Sequence, residues 1–185
     1  MPSERVLHRC RQLGFASAGI CEAAPADRPD SLRDWLAAGR QGEMNYLQRN
    51  VEVRLDPRRL LEGARSIICV ADRHADGSKH PGSRNEGRIA RYAQGDDYHR
   101  VMKKRLRVLS DELWTEFPEH RFRVCVDTAP LLEREHAARA GLGAVGKHTL
   151  LIERSVGSYL LLGAIVTTLP PETVEMPTPS AGSPL

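Results

Sequence analysis

At 185 residues the chain suits one domain with a real core, and a net charge of +3 makes no overall case for nucleic acid. No apolar stretch approaches the roughly 18 residues of a membrane span, and the N-terminus opens into a charged helical pattern rather than a signal peptide, so a cytoplasmic location is expected. The basic residues are 23 Arg against 4 Lys (Lys79, Lys103, Lys104, Lys147), which reflects either codon usage or a functional preference for arginine.

The first expected element is a helix over Ser3–Leu13, capped by Ser3, with Val6, Leu7, Cys10 and Leu13 at helical spacing and Gly14 as its stop. Phe15–Cys21 reads as a strand of small residues, which implies close packing by another element. A turn-rich connection follows over Ala23–Asp30. Ser31 then opens a second helix through Leu36, ending near Gly39, and Met44–Arg49 forms a short third. Ser66-Ile67-Ile68-Cys69-Val70 is the clearest central strand. The polar stretch His74–Gly87 is long for a loop in a compact domain, which fits a mobile segment or a lid.

Asp96 or Asp97 caps the strongest helix, where Tyr98, Met102, Leu106, Leu109 and Leu113 form one apolar stripe. Its other face carries Arg100, Lys103, Lys104 and Arg107. From Arg84 to Arg107 eight basic residues stand against three acids, which makes either a solvated face or a phosphate-contacting stripe. Val124-Cys125-Val126 is a buried strand ended by Asp127. Thr128 and Pro130 then start a helix that gives out at Ala140-Gly141. A Gly-rich turn and Lys147-His148 lead into a second apolar run, Thr149–Ile152, and Ser158–Thr168 is a last buried strand. The proline-rich residues 170–185 lack the apolar content to order themselves, so the folded domain is expected over 1–169 and a disordered tail after it.

Cys10, Cys21, Cys69 and Cys125 are widely spaced and none stands in a C-x-x-C, which leaves no local zinc or ferredoxin-type site. Cys69 and Cys125 lie in apolar runs and read as core residues, and disulfides are not expected. Gly141-Leu142-Gly143-Ala144-Val145-Gly146 matches a dinucleotide fingerprint in spacing, but a helix precedes it and a strand follows, the reverse of what pyrophosphate binding needs. The glycines suit close backbone approach to a bulky ligand, with Lys147 beside them, or in the case of Gly141 a helix C-cap. Asp127 at the end of a buried run is either the cap of the next helix or a catalytic acid whose pKa a covering ligand would raise.

The segments ARYAQGDDYHRVM (Ala90–Met102), VDTAPLLERE (Val126–Glu135) and AGLGAVGKHTLLI (Ala140–Ile152) together resemble the epoxyqueuosine reductase family. MNYLQRN…RLDPRRLLEGARSIICVA before them and GSYLLLGAIVTTLP after them extend the similarity over about Leu13–Pro170. The resemblance implies a nitroreductase-like α/β (α+β) sandwich with a mixed, partly antiparallel sheet flanked by helices. It implies a cobalamin-binding domain (cob(II)alamin) acting in tRNA queuosine biosynthesis, where the epoxide of epoxyqueuosine in the anticodon loop is reduced. Under that resemblance Asp127 is the proton-donating acid. Gly146, Lys147, His148 and Thr149 contact the corrinoid, and Arg54, Tyr98, His99 and Ser158 match other positions lining its cavity.

The family's ferredoxin-like module carries two 4Fe-4S clusters, whose C-x-x-C-x-x-C…C-P ligands this chain lacks. The expectation is therefore a truncated enzyme, or a module that takes electrons from a separate Fe-S protein and meets tRNA through the Arg84–Arg107 region. Ala144 stands where the family usually places a bulky aromatic. Readings from other classes are a non-catalytic tRNA- or corrinoid-binding module and a flavin reductase.

Overall fold

The computed structural model describes residues 2–74, 87 and 89–173. Among the described residues six α-helices and six strands follow in the order α1 Pro2–Gln12, β1 Ser17–Glu22, α2 Pro29–Ala37, α3 Val51–Leu55, α4 Pro57–Leu60, β2 Ser66–Arg73, α5 Tyr98–Glu116, β3 Phe122–Cys125, α6 Glu133–Arg139, β4 Ala144–Val145, β5 Leu151–Ile152 and β6 Leu160–Thr167. The main sheet has the order β1-β2-β6-β3, and every neighbouring pair is antiparallel. The expected α/β sandwich is therefore present, with a sheet antiparallel throughout rather than mixed.

Both sheet faces are covered, which is why β2 and β6 read as continuous apolar runs. Along β2, Ile67, Cys69 and Ala71 point to a layer with Ala137, Ala140, Leu142 and Leu151. Ile68 and Val70 point to the other layer with Val6, Cys10, Met102, Leu106, Leu109 and Leu113. The α5 stripe expected from spacing is buried from Met102 through Leu113, with Tyr98 half-buried at its start. Asp97, not Asp96, caps that helix by accepting from the His99 N–H at 3.0 Å. All four cysteines are free and buried, as expected for Cys69 and Cys125.

The small residues of β1 have the close neighbour their size implied. A side chain at Gly19 would stand 2.1 Å from the Ala140 carbonyl oxygen, so only glycine lets the end of α6 reach the sheet. Gly141 ends α6 with φ +79, its N–H bonding Ala138 and that of Leu142 bonding Ala137, the double bond of a Schellman cap. The C-cap reading of Gly141 is thus correct.

Several boundaries differ from expectation. Helix α1 starts at Pro2, which puts Ser3 inside its first turn instead of in front of it. Met44–Arg49 holds a 3-10 turn, Asn45–Gln48. Thr128 and Pro130 do not start a helix. The Thr128 N–H bonds back to the Val126 carbonyl and that of Leu131 to Ala129, so the chain turns until α6 begins at Glu133. Pro130 also disfavours helical geometry at Ala129. The loop expected over His74–Gly87 and the tail expected after Pro170 fall mostly outside the described residues, as does Arg84.

Candidate functional site

One edge of the main sheet collects the ends of β2 and β3, the start of β6 and the N-terminus of α5. Asp127 follows β3 there in a left-handed conformation, φ +55, which aspartate tolerates better than most residues. Its carboxylate Oδ2 lies 3.1 Å from His99 Nε2, and the opposite ring nitrogen, Nδ1, lies 2.8 Å from Asp97 Oδ1. The imidazole is thus held between two carboxylates, of which Asp97 is fixed by its capping bond. Tyr98 stacks on the ring at 3.9 Å between centroids. Bonding to Asp127 and then to Asp97 holds the His99 pKa above its ordinary value. A proton shared between an imidazole and an exposed carboxylate is one that can be handed to a bound substrate.

The alternatives left open for Asp127 resolve against the cap, because no helix begins beside it. Its carboxyl group is 59% exposed, so burial comes only with a ligand. The backbone N–H of Asp127 donates to Glu133 Oε1 at 2.9 Å. Glu133 sits in the first turn of α6. Burial, opposed by the Asp127 N–H and reinforced by the Asp127 charge, pushes its pKa up to about 7. Nothing in the linear pattern singled out Glu133. The signal was an acid six residues past the strand-ending acid, in the same VDTAPLLERE segment.

The next residue ties this corner to the Gly-rich segment. Arg134 donates from one guanidinium nitrogen to the Thr149 carbonyl at 2.5 Å and to Thr149 Oγ1 at 3.0 Å. Thr149 has φ +68, an outlier for a β-branched residue, and Arg134 holds it there. Gly146, Lys147, His148 and Thr149 form the turn of a hairpin between β4 and β5, with Gly146 bonding Leu150 and Thr149 bonding Gly146. The glycines serve this hairpin first: a side chain at Gly143 would strike the Ile152 carbonyl oxygen at 2.2 Å. Lys147, His148 and Thr149 are exposed at its tip, and Val145, Leu150 and Ile152 expose apolar surface beside them.

The structure joins Asp127, His99 and Tyr98 by direct contact, and Thr149 through Arg134 and Glu133. Arg54, on α3, acts electrostatically on Glu133, and its Nε is buried without a hydrogen-bond partner among the described residues. Ser158 precedes β6 near Tyr159, which meets the ring of His74 and lies under Arg91. Among the described residues no hydrogen bond or ion pair links Ser158, Lys147 or His148 to Asp127. Of the eight expected stripe residues, Arg105 turns inward instead. It pairs with Asp72 and lies 4.4 Å over the Phe15 ring.

Fold and site together define an α/β sandwich domain that presents an acid–imidazole pair at one edge of an antiparallel sheet. Residues 54–128 match the family model described as "Epoxyqueuosine reductase QueG, DUF1730". The epoxyqueuosine reductase of Cyclobacterium marinum is 39% identical over 160 residues, which cover 86% of this chain and 52% of that protein. Among solved structures, the epoxyqueuosine reductase of Streptococcus thermophilus superposes with a TM-score of 0.83 at 28% identity, over 95% of this chain and 47% of that one. An epoxyqueuosine reductase solved with an epoxyqueuosine-modified tRNA-Tyr stem loop gives 0.75 at 28% identity, with 95% and 47% covered. The Bacillus subtilis enzyme, solved with its catalytic aspartate loop swung out of the active site, gives 0.73 at 25%, with 97% and 48% covered. The chain is similar to epoxyqueuosine reductases over most of its own length and spans about half the length of the curated relatives it matches. Among the described residues no helix is long and apolar enough to cross a membrane.

Proposed function

We propose that this chain is the cobalamin-binding domain of an epoxyqueuosine reductase, over residues 1–169, acting in tRNA queuosine biosynthesis in the cytoplasm. The observation that carries the reading is the Asp127–His99 pair at 3.1 Å, exposed where a ligand can cover it. The residues present fit a large ligand with an apolar ring and an amide fringe. Arg54 Nε and His74 Nδ1 are buried without hydrogen-bond partners among the described residues. Tyr92, Tyr159, Val145, Leu150 and Ile152 expose apolar surface toward solvent. Arg54, His74, Tyr98, Ser158 and the hairpin tip Gly146–Thr149 would hold it, with the Lys147 ammonium and the backbone of the turn offering donors. Reduced cobalamin supplies a strong nucleophile or electron donor toward an epoxide carbon.

The chain's own part is the proton. Converting an epoxide to an alkene and water takes two electrons and two protons, and the opened oxygen is the first to need one. Asp127 delivers it from the proton shared with His99, and Asp97 keeps the imidazole oriented to replace it. Covering the carboxyl with ligand raises its pKa and improves it as a donor. The electrons come from a 4Fe-4S module outside this sequence, in a separate protein or a further segment, because the four buried cysteines stand in no cluster motif. The tRNA stem loop bound by a related structure suggests a nucleic-acid face here, carried by Arg100, Lys104 and Arg107 on α5.

The test supplies cobalamin, a strong chemical reductant and an epoxyqueuosine-modified stem loop, and reads queuosine by mass spectrometry. Wild-type chain forms product, whereas Asp127→Ala binds cobalamin and forms none. Equal product from Asp127→Ala removes the acid role.

A further inference from the structure

We propose that Glu133 is a positioning residue that latches the Asp127 loop to α6 and keeps the acid facing its ligand during turnover. This rests on the reading of Asp127 as the acid.

The loop of residues 127–132 has few anchors. Asp127 and Thr128 are exposed, Ala129 and Pro130 are half-buried, and the Leu131 side chain is the one buried in the core. At the Asp127 end the Thr128 N–H closes a local turn onto the Val126 carbonyl, and two bonds tie Asp127 to other elements. One runs from the carboxylate to His99 and the other from the backbone N–H to Glu133 Oε1. The first engages the oxygens that must exchange a proton with substrate, so it breaks or re-forms whenever the acid works. The second engages only backbone and leaves the carboxylate free. Of these two it is the bond able to tie a left-handed Asp127 to α6 through a catalytic cycle, beside the local Thr128–Val126 turn.

Glu133 is built for that duty. It is partly buried at the start of α6, whose far end is wedged against Gly19, so the carboxylate is carried on a rigid element. Every element around it contributes charge or a titratable group: Arg54 on α3, Tyr98 on α5, Cys69 on β2, Cys125 on β3, Arg134 beside it, and Asp127 itself. A carboxylate accepts a stronger bond from an amide than a neutral acid does. With burial raising its pKa to about 7, the latch is tight above neutrality and weakens below it.

The test uses the isotopically labelled chain and follows the Asp127 amide by NMR. In the wild type its proton resonance titrates with a midpoint near 7 and its hydrogen exchange is slow. Glu133→Gln keeps an oxygen acceptor without the charge: the titration disappears and exchange rises only a few-fold. Glu133→Leu removes the acceptor, and exchange at Asp127 rises at least tenfold while β2 and β6 amides keep their protection. A titration that persists in Glu133→Gln belongs to His99 or Asp127 and overturns the latch. So does unchanged Asp127 exchange in a folded Glu133→Leu. If Glu133→Leu does not fold, the Glu133→Gln titration decides. None of these readouts depends on turnover, so failure of the acid assignment registers separately, as product formed by Asp127→Ala.

Discussion

Replacing Gly19 with alanine tests how the site's framework is held. The added carbon would meet the Ala140 carbonyl oxygen at 2.1 Å and Leu142 Cδ1 at 2.7 Å. The leucine tip can rotate away, but the carbonyl is backbone, fixed by the cap of α6 and by the buried Ala137 and Leu142 around it. Relief therefore requires the helix to lift off β1 by about an ångström. Overpacking of this kind costs about 1–3 kcal/mol, and a backbone obstacle belongs to the upper part of that range. For a chain of this size each kcal/mol lowers Tm by about 2–4 °C, so a loss of about 2–3 kcal/mol lowers it by roughly 4–12 °C. The assay is thermal unfolding followed by circular dichroism, with amide spectra to show which residues move. Shifts should concentrate on α6 and the hairpin it supports. A Gly19→Ala protein that melts within about 1 °C of wild type would refute the close packing, and with it the rigid seat given to Glu133.

Other outcomes follow from the same geometry. Asp127→Asn should lower the His99 pKa toward its ordinary value, since Asp127 is the main cause of its elevation; an unmoved titration of the ring signals would contradict the pairing. A raised histidine pKa stabilises the fold fully below about 6.5, and that contribution is lost as pH rises through the folded value, so unfolding midpoints should respond less to pH over that window in the variant. Leu106→Ala, at a fully buried site touching the Gly163 strand, should cost about 2–5 kcal/mol in urea unfolding. Charge reversal at Arg100 and Arg107 should weaken binding of a tRNA stem loop and flatten its salt dependence, whereas Arg105→Ala should lower stability with little change in that slope.

What the sequence showed best was whatever depends on local pattern. The α5 stripe, the buried runs of β2 and β6 and the Gly141 cap each follow from spacing within one element. The small residues of β1 even announced a close neighbour, without saying that it was α6. The sheet's all-antiparallel pairing was not legible, because a strand covered on both faces shows the same apolar run in either arrangement. Pro130 suggested a helix start, but the Asp127 turn and the burial of Leu131 delayed it to Glu133. The contact between Asp127 and His99 spans 28 residues and was approached only through the family resemblance. Glu133 was missed for a similar reason. Its importance comes from a backbone N–H six residues earlier, and no side-chain pattern records that bond. Arg105 shows the converse, since a basic residue on a basic helix face turned out to belong to the interior.

The central claim, that this domain holds a corrinoid at the Asp127 edge, is tested most directly by titrating the purified chain into cob(II)alamin and recording its EPR and visible spectra. A saturable change in the cobalt signal is expected, retained in Asp127→Ala and weakened when Arg54 or the Gly146–Thr149 turn is altered. Spectra of cob(II)alamin that stay the same at every protein concentration would contradict it.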